Sequence, residues 1–186
     1  MKARRIFAVA VIVAAITALV STNAYASYGH NQLSKVKHAT AQFQSLAVAR
    51  NAGYSLLVDK DGISCIDMQP KGAMGVHYVN GKLVGDGEID AFHPEAVVYE
   101  PVGKNLRLVA LEYVVLKADW RKHHHGRPSL FGHKFNLTLA GNRYGLPDFY
   151  SLHVWIFKDN PAGTFKMWNP DVHCPGSSTT GGHDHH

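Results

Sequence analysis

Apolar residues open the chain as one block and then break into short runs separated by turns. Ile6 to Val20 is an uncharged, mostly apolar stretch of 15 residues. Lys2, Arg4 and Arg5 precede it, and small residues ending in Ala24-Tyr25-Ala26 follow. A cationic start, an apolar middle and a small-x-small end predict a cleavable export signal over residues 1–26. The stretch falls short of the roughly 20 residues a membrane span requires, and an anchor leaves the Ala-x-Ala unexplained. The expectation is a secreted or periplasmic protein with no stable membrane anchor.

Beyond the signal, residues 27–34 read as a polar leader. From Lys35 to Gly53, Val36, Ala39, Phe43, Leu46 and Ala47 recur near helical spacing, which predicts one amphipathic helix of four to five turns stopped by Gly53. The period then changes. Pro94–Tyr99, Leu106–Leu116 and Tyr150–Phe157 are strand candidates, with Gly103-Lys104-Asn105 as a hairpin connection between the first two. Asp59 to Gly62 and Val79 to Gly81 carry turn chemistry. No run of helices alternates with these strands, which disfavours a doubly wound fold. The predicted class is α+β: one long N-terminal helix packed on an antiparallel sheet able to curl into a half-barrel. It forms a single globular domain over residues 35–174, followed by a disordered His-rich tail at 175–186.

Charge adds little. Removing Lys2, Arg4 and Arg5 from the 19 basic residues leaves 16 against 14 acidic ones, a net of +2. That argues against nucleic acid as a partner and leaves a small molecule or a metal ion. Cys65 and Cys174 are the only cysteines, and in an oxidising compartment a disulfide is the favoured state over two buried free thiols or a metal pair.

Thirteen histidines are many for this length, and they divide into two groups. His123 to His125, His183, His185 and His186 lie in a polar insertion and the tail, where a run of imidazoles binds metals weakly or stays solvated. The others of interest sit among apolar residues: His77, His93 with Glu95, Glu112 in its strand, and His153. Strand alternation puts Glu112 on one face with Leu108, Ala110 and Val114. A carboxylate on an apolar face needs a cation, a metal or a histidine beside it. His77, His153 and Glu112, with His93 or Glu95, therefore form a candidate ligand set for Zn, Cu, Fe or Mn. The competing reading is a buried His–Glu hydrogen bond that only holds the fold. Tyr78 and Tyr113 are candidate polar handles, and Trp155 joins them as a pocket residue. Trp155, Trp168, Tyr144, Phe149, Tyr150 and Phe165 of the C-terminal third, with Asn142, Asn160 and Asn169, are candidates to line a pocket, against the competing reading that these aromatics belong to the core.

Taken together, Gly72-Ala73-Met74-Gly75-Val76-His77-Tyr78, His93-Pro94-Glu95, Leu111-Glu112-Tyr113, Leu152-His153-Val154-Trp155 and Trp168-Asn169-Pro170 resemble segments of an uncharacterised family of bacterial secreted proteins. The resemblance covers about Ala39 to Cys174. It implies a single-domain exported protein and brings no activity with it. The functional expectation is an exported domain with a His/carboxylate metal site, open to metal-dependent chemistry. The rival is a non-enzymatic module that binds a small ligand or a cell-envelope partner.

Overall fold

The computed structural model describes residues 31–175, so the segment expected to be an export signal and the terminal histidines lie outside the described residues. Helix α1 covers residues 31–40 and includes positions 31–34, which the sequence pattern placed in the leader. A tight 3-10 turn at Ala41–Gln44 follows, and α2 is Leu46–Asn51. The single long helix is therefore corrected to short segments. Ser45 is extended (φ −86°, ψ 110°), and its hydroxyl accepts from the Val48 amide, which caps α2. The break resets the buried face. Val36, Thr40, Phe43 and Ala49 are buried, whereas Ala39 and Ala47 are exposed.

The remaining elements are β1 (Ser55–Leu56), β2 (Cys65–Asp67), β3 (Ala73–Val79), α3 (Gly81–Val84), β4 (Ala96–Val102), β5 (Asn105–Leu116), α4 (Lys117–His123), β6 (Ser129–Leu130), β7 (His133–Lys134), β8 (Asn136–Thr138) and β9 (Phe149–Val154). Seven strands form one antiparallel sheet in the order β1-β3-β4-β5-β9-β8, with β2 also paired to β3. A separate hairpin joins β6 and β7. The β4–β5 hairpin closes over Gly103 and Lys104, with Val102 opposite Asn105 and Gly103 at φ +59°. The fold is α+β, with short helices. Among the described residues, no helix is long and apolar enough to cross a membrane.

Both faces of the sheet are covered. Val76, Tyr78, Val97, Tyr99, Leu111, Tyr113, Leu152 and Val154 face α1 and α2 and build the main core with Val36, Phe43 and Ala49. The Tyr99 hydroxyl donates to the Phe43 carbonyl at 2.7 Å, next to the helix break. The opposite face carries a smaller core of Val98, Val109, Ala110, Trp155 and Val172. The Cys65–Cys174 disulfide ties β2 to the segment covering that face, with the Cα atoms 5.6 Å apart.

Two irregularities set which side chains face which way. In β5, Tyr99 pairs with Leu108 while Val98 pairs with Ala110, so Val109 is an extra residue. This bulge moves Leu108 to the helix-side core and separates it from Glu112, contrary to simple alternation. In β3, Ile66 pairs with Gly75 and Asp67 with Ala73, so Met74 is the extra residue. Gly75 takes φ +103° there, and a Cβ on it would stand 2.4 Å from the Tyr99 carbonyl oxygen. Only glycine fits this position.

Candidate metal centre

The face away from α1 and α2 holds three polar side chains within a region of small apolar neighbours. His77 sits on β3, Glu112 on β5 and His153 on β9. Register explains their meeting. Glu112 lies directly opposite His153, and on its other side opposite Ala96 of β4. Across β4, His77 lies opposite Val98 and Glu112 opposite the small Ala96, so the two are diagonal neighbours, and their side chains come within 3.4 Å. Ala110 and Ser151, also on this face, are small and buried.

The geometry is close. His77 Nε2 stands 3.2 Å from His153 Nε2 and 3.4 Å from Glu112 Oε2. His153 Nδ1 lies 3.3 Å from Glu112 Oε1. One donor atom from each residue lies within 4.8 Å of the other two. For a tetrahedral ion with metal–nitrogen and metal–oxygen bonds of about 2.0–2.1 Å, ligand atoms stand roughly 3.3–3.4 Å apart. Two edges of such a figure are thus already present in the protein.

The electrostatics suit a metal ion. His77 and His153 are buried, and burial lowers their pKa values to about 4 and about 3. For His77, the Glu112 carboxylate and the Gly75 carbonyl oppose that shift, while His153 adds to it. Both imidazoles are neutral at physiological pH, which leaves a lone pair for coordination. Burial raises the Glu112 pKa, while His77 and a hydrogen bond from the Ser151 hydroxyl pull it back. Among the described residues, Nδ1 of neither histidine has a partner of full hydrogen-bond geometry, although His153 Nδ1 faces Glu112 Oε1 at 3.3 Å.

A cavity of about 520 Å³ opens over this cluster; its lining includes His77, Glu112, Ser151, Phe149, Tyr144 and Trp168. Tyr144 sits on the loop between β8 and β9. Asn142 organises that loop, donating to the Leu139 and Leu146 carbonyls and accepting from the Tyr144 amide. Arg143 fastens it to the buried Asp59 carboxylate at 2.7 Å. Burial raises the pKa of the Tyr144 hydroxyl, and the Glu112 charge adds to that shift while Arg143 opposes it.

The other sequence candidates do not join the cluster. His93 is exposed and pairs with Asp90 at 2.8 Å. Glu95 is buried one residue before β4, where its carboxyl accepts from the Val114 amide at 3.0 Å and completes the edge of β5 beyond the last β4 pair. Burial raises its pKa to about 8. Tyr78 and Tyr113 point to the helix-side core, where Tyr78 accepts from Arg50 and Tyr113 donates to the Ala91 carbonyl. Trp155 packs behind His153 with ring centroids 6.3 Å apart, and its indole donates to the Lys166 carbonyl. His123 ends α4, and His124 stacks on Trp120, so part of the expected polar insertion is helical. The residue that sequence reasoning placed least well is Tyr144. It appeared only as one aromatic among several, and its approach to Glu112 depends on a loop with no periodicity to read.

No family model, no curated protein and no solved structure matches this chain.

Proposed function

We propose that this protein is an exported metal-binding domain in which His77, Glu112 and His153 hold one transition-metal ion on the floor of a small-molecule cavity. The observation that carries the reading is the convergence of two neutral, buried imidazoles and a buried carboxyl at tetrahedral edge distances, 3.2 and 3.4 Å. Three protein ligands leave an open coordination position, the arrangement of sites that act on a bound molecule rather than only brace a fold. The cavity of about 520 Å³ lies over the cluster and gives water or a small ligand access to it. Its walls are largely apolar, and besides the cluster Thr138, Asn142, Arg143, Tyr144 and Ser151 are its polar lining residues. Export fits the Cys65–Cys174 disulfide and the apolar N-terminal segment.

The second reading is a cavity that binds a small apolar molecule without metal. The 3.2 Å contact favours it, because one neutral imidazole can donate to the other. Elemental analysis of the full chain, made without an affinity tag and dialysed against trace metals, separates the two. The metal reading expects one ion per chain, lost in His77→Ala and in His153→Ala and retained when His123 to His125 are replaced by Ser. Ion content unaffected by His77→Ala and His153→Ala defeats it.

A further inference from the structure

Methionine is scarce in this protein. Besides Met1 there are three, Met68, Met74 and Met167, and they come from separate segments of the chain. All three line the cavity that opens over His77 and Glu112. Met74 reaches it through the β3 bulge: it is the extra residue, and Gly75 at φ +103° makes the bulge possible. A regular strand would send residues 74 and 77 to opposite faces. Here the irregularity brings a buried thioether, 7% exposed, to the cavity that also holds His77. Met167 approaches from the loop that carries Trp168.

An apolar wall alone does not call for sulfur, since Val and Leu build the rest of this sheet. The other sulfur atoms are unavailable as ligands, because Cys65 and Cys174 are joined and no free cysteine remains. A thioether is a soft donor that disulfide formation does not consume. Soft sulfur ligands favour Cu(I), whereas imidazole serves copper and zinc alike, and zinc gains little from a thioether.

We propose that the ion at this centre is copper, held as Cu(I) by the His77 and His153 imidazoles beside Glu112, with a thioether from Met74 or Met167 taking the open position that faces the cavity. The proposal rests on the metal-binding reading above and names its ion. Met68, half exposed, belongs to the rim of the same cavity.

The test is anaerobic competition of the full chain against a chromophoric Cu(I) chelator, with Zn(II) titrated separately. The wild type is compared with the Met74→Leu/Met167→Leu double variant. Leu conserves volume and apolarity, so the cavity wall is kept. The expected result is a loss of Cu(I) affinity of about tenfold or more with Zn(II) affinity within about twofold of wild type. Unchanged Cu(I) affinity in the double variant overturns the thioether assignment. A wild type that takes Zn(II) but not Cu(I) overturns the copper proposal and leaves the metal site standing. A wild type that takes neither at His77 and His153 removes the metal site itself. X-ray absorption at the copper edge of the loaded wild type is independent of the variant's folding: a sulfur shell beside the nitrogen shell supports the proposal, and nitrogen and oxygen alone contradict it.

Discussion

Glu95 was a ligand candidate by sequence, and in the fold it is a buried acid that supports the sheet. Replacing it by Gln tests that assignment with a signature no ligand role produces. Its pKa is raised from 4.5 to about 8 by burial, with the Val114 amide partly opposing. A group whose folded pKa is raised contributes stability that is present below the unfolded pKa and lost as pH rises through the folded one. Across pH 5 to 7 the unfolded chain ionises this carboxyl while the fold keeps it protonated, so wild-type stability from this group falls by roughly 2–3 kcal/mol. Gln keeps the acceptor for Val114 and does not titrate. Urea unfolding of both proteins at pH 5, 6, 7 and 8 isolates the effect, since all other groups cancel in the difference. The wild type should lose about 2–3 kcal/mol relative to Glu95→Gln between pH 5 and pH 7. Parallel pH profiles would show that Glu95 is not held protonated and refute the argument. Metal content should be the same in both proteins.

The buried histidines carry the opposite dependence. With His77 at about 4 and His153 at about 3, protons do not compete for the imidazoles until well into acid. Metal on the core imidazoles should therefore outlast metal on exposed ones as pH falls, with Glu112, whose pKa burial raises, the ligand that protons reach first; dialysis at stepped pH with metal analysis of the wild type and His77→Ala reads the difference, and identical release profiles count against the core site. Gly75→Ala places a Cβ 2.4 Å from the Tyr99 carbonyl at φ +103° and should cost about 2–4 kcal/mol of unfolding free energy, with an unchanged melting temperature as the contrary result. Reducing the Cys65–Cys174 bond, which closes a separation of 109 residues, should cost about 2–5 kcal/mol, measured by denaturation with and without reductant; identical curves would mean the bond constrains little.

Strand β5 was legible because a long apolar run rich in Val and Leu admits few other readings, and β9 because its short run of aromatic and aliphatic residues follows a Gly/Pro loop. β3 was not read as a strand. It is buried on both faces and so lacks alternation, and Gly72 and Gly75 look like punctuation rather than strand. The helix break at Ser45 was hidden because the apolar spacing continues through it, and only the cap geometry reveals it. The bulges at Val109 and Met74 were equally invisible, since one inserted residue changes parity without changing composition. Of the candidate site, His77, Glu112 and His153 were found by a sound signal: polar side chains on apolar strands. His93 and Glu95 shared the signal of apolar neighbours but precede β4, outside the paired region. Tyr78 and Tyr113 fail by parity alone, because each adjoins a site residue in a strand and therefore faces the other way.

The central claim is that one metal ion sits among His77, Glu112 and His153. Anomalous diffraction at the metal edge, from crystals of the chain loaded with one equivalent of Cu(I) or Zn(II), tests it most directly. The account predicts a single strong peak in contact with both imidazoles and the Glu112 carboxylate, at the floor of the cavity. A peak confined to the exposed histidines, with the His77–His153 contact undisturbed, would contradict it.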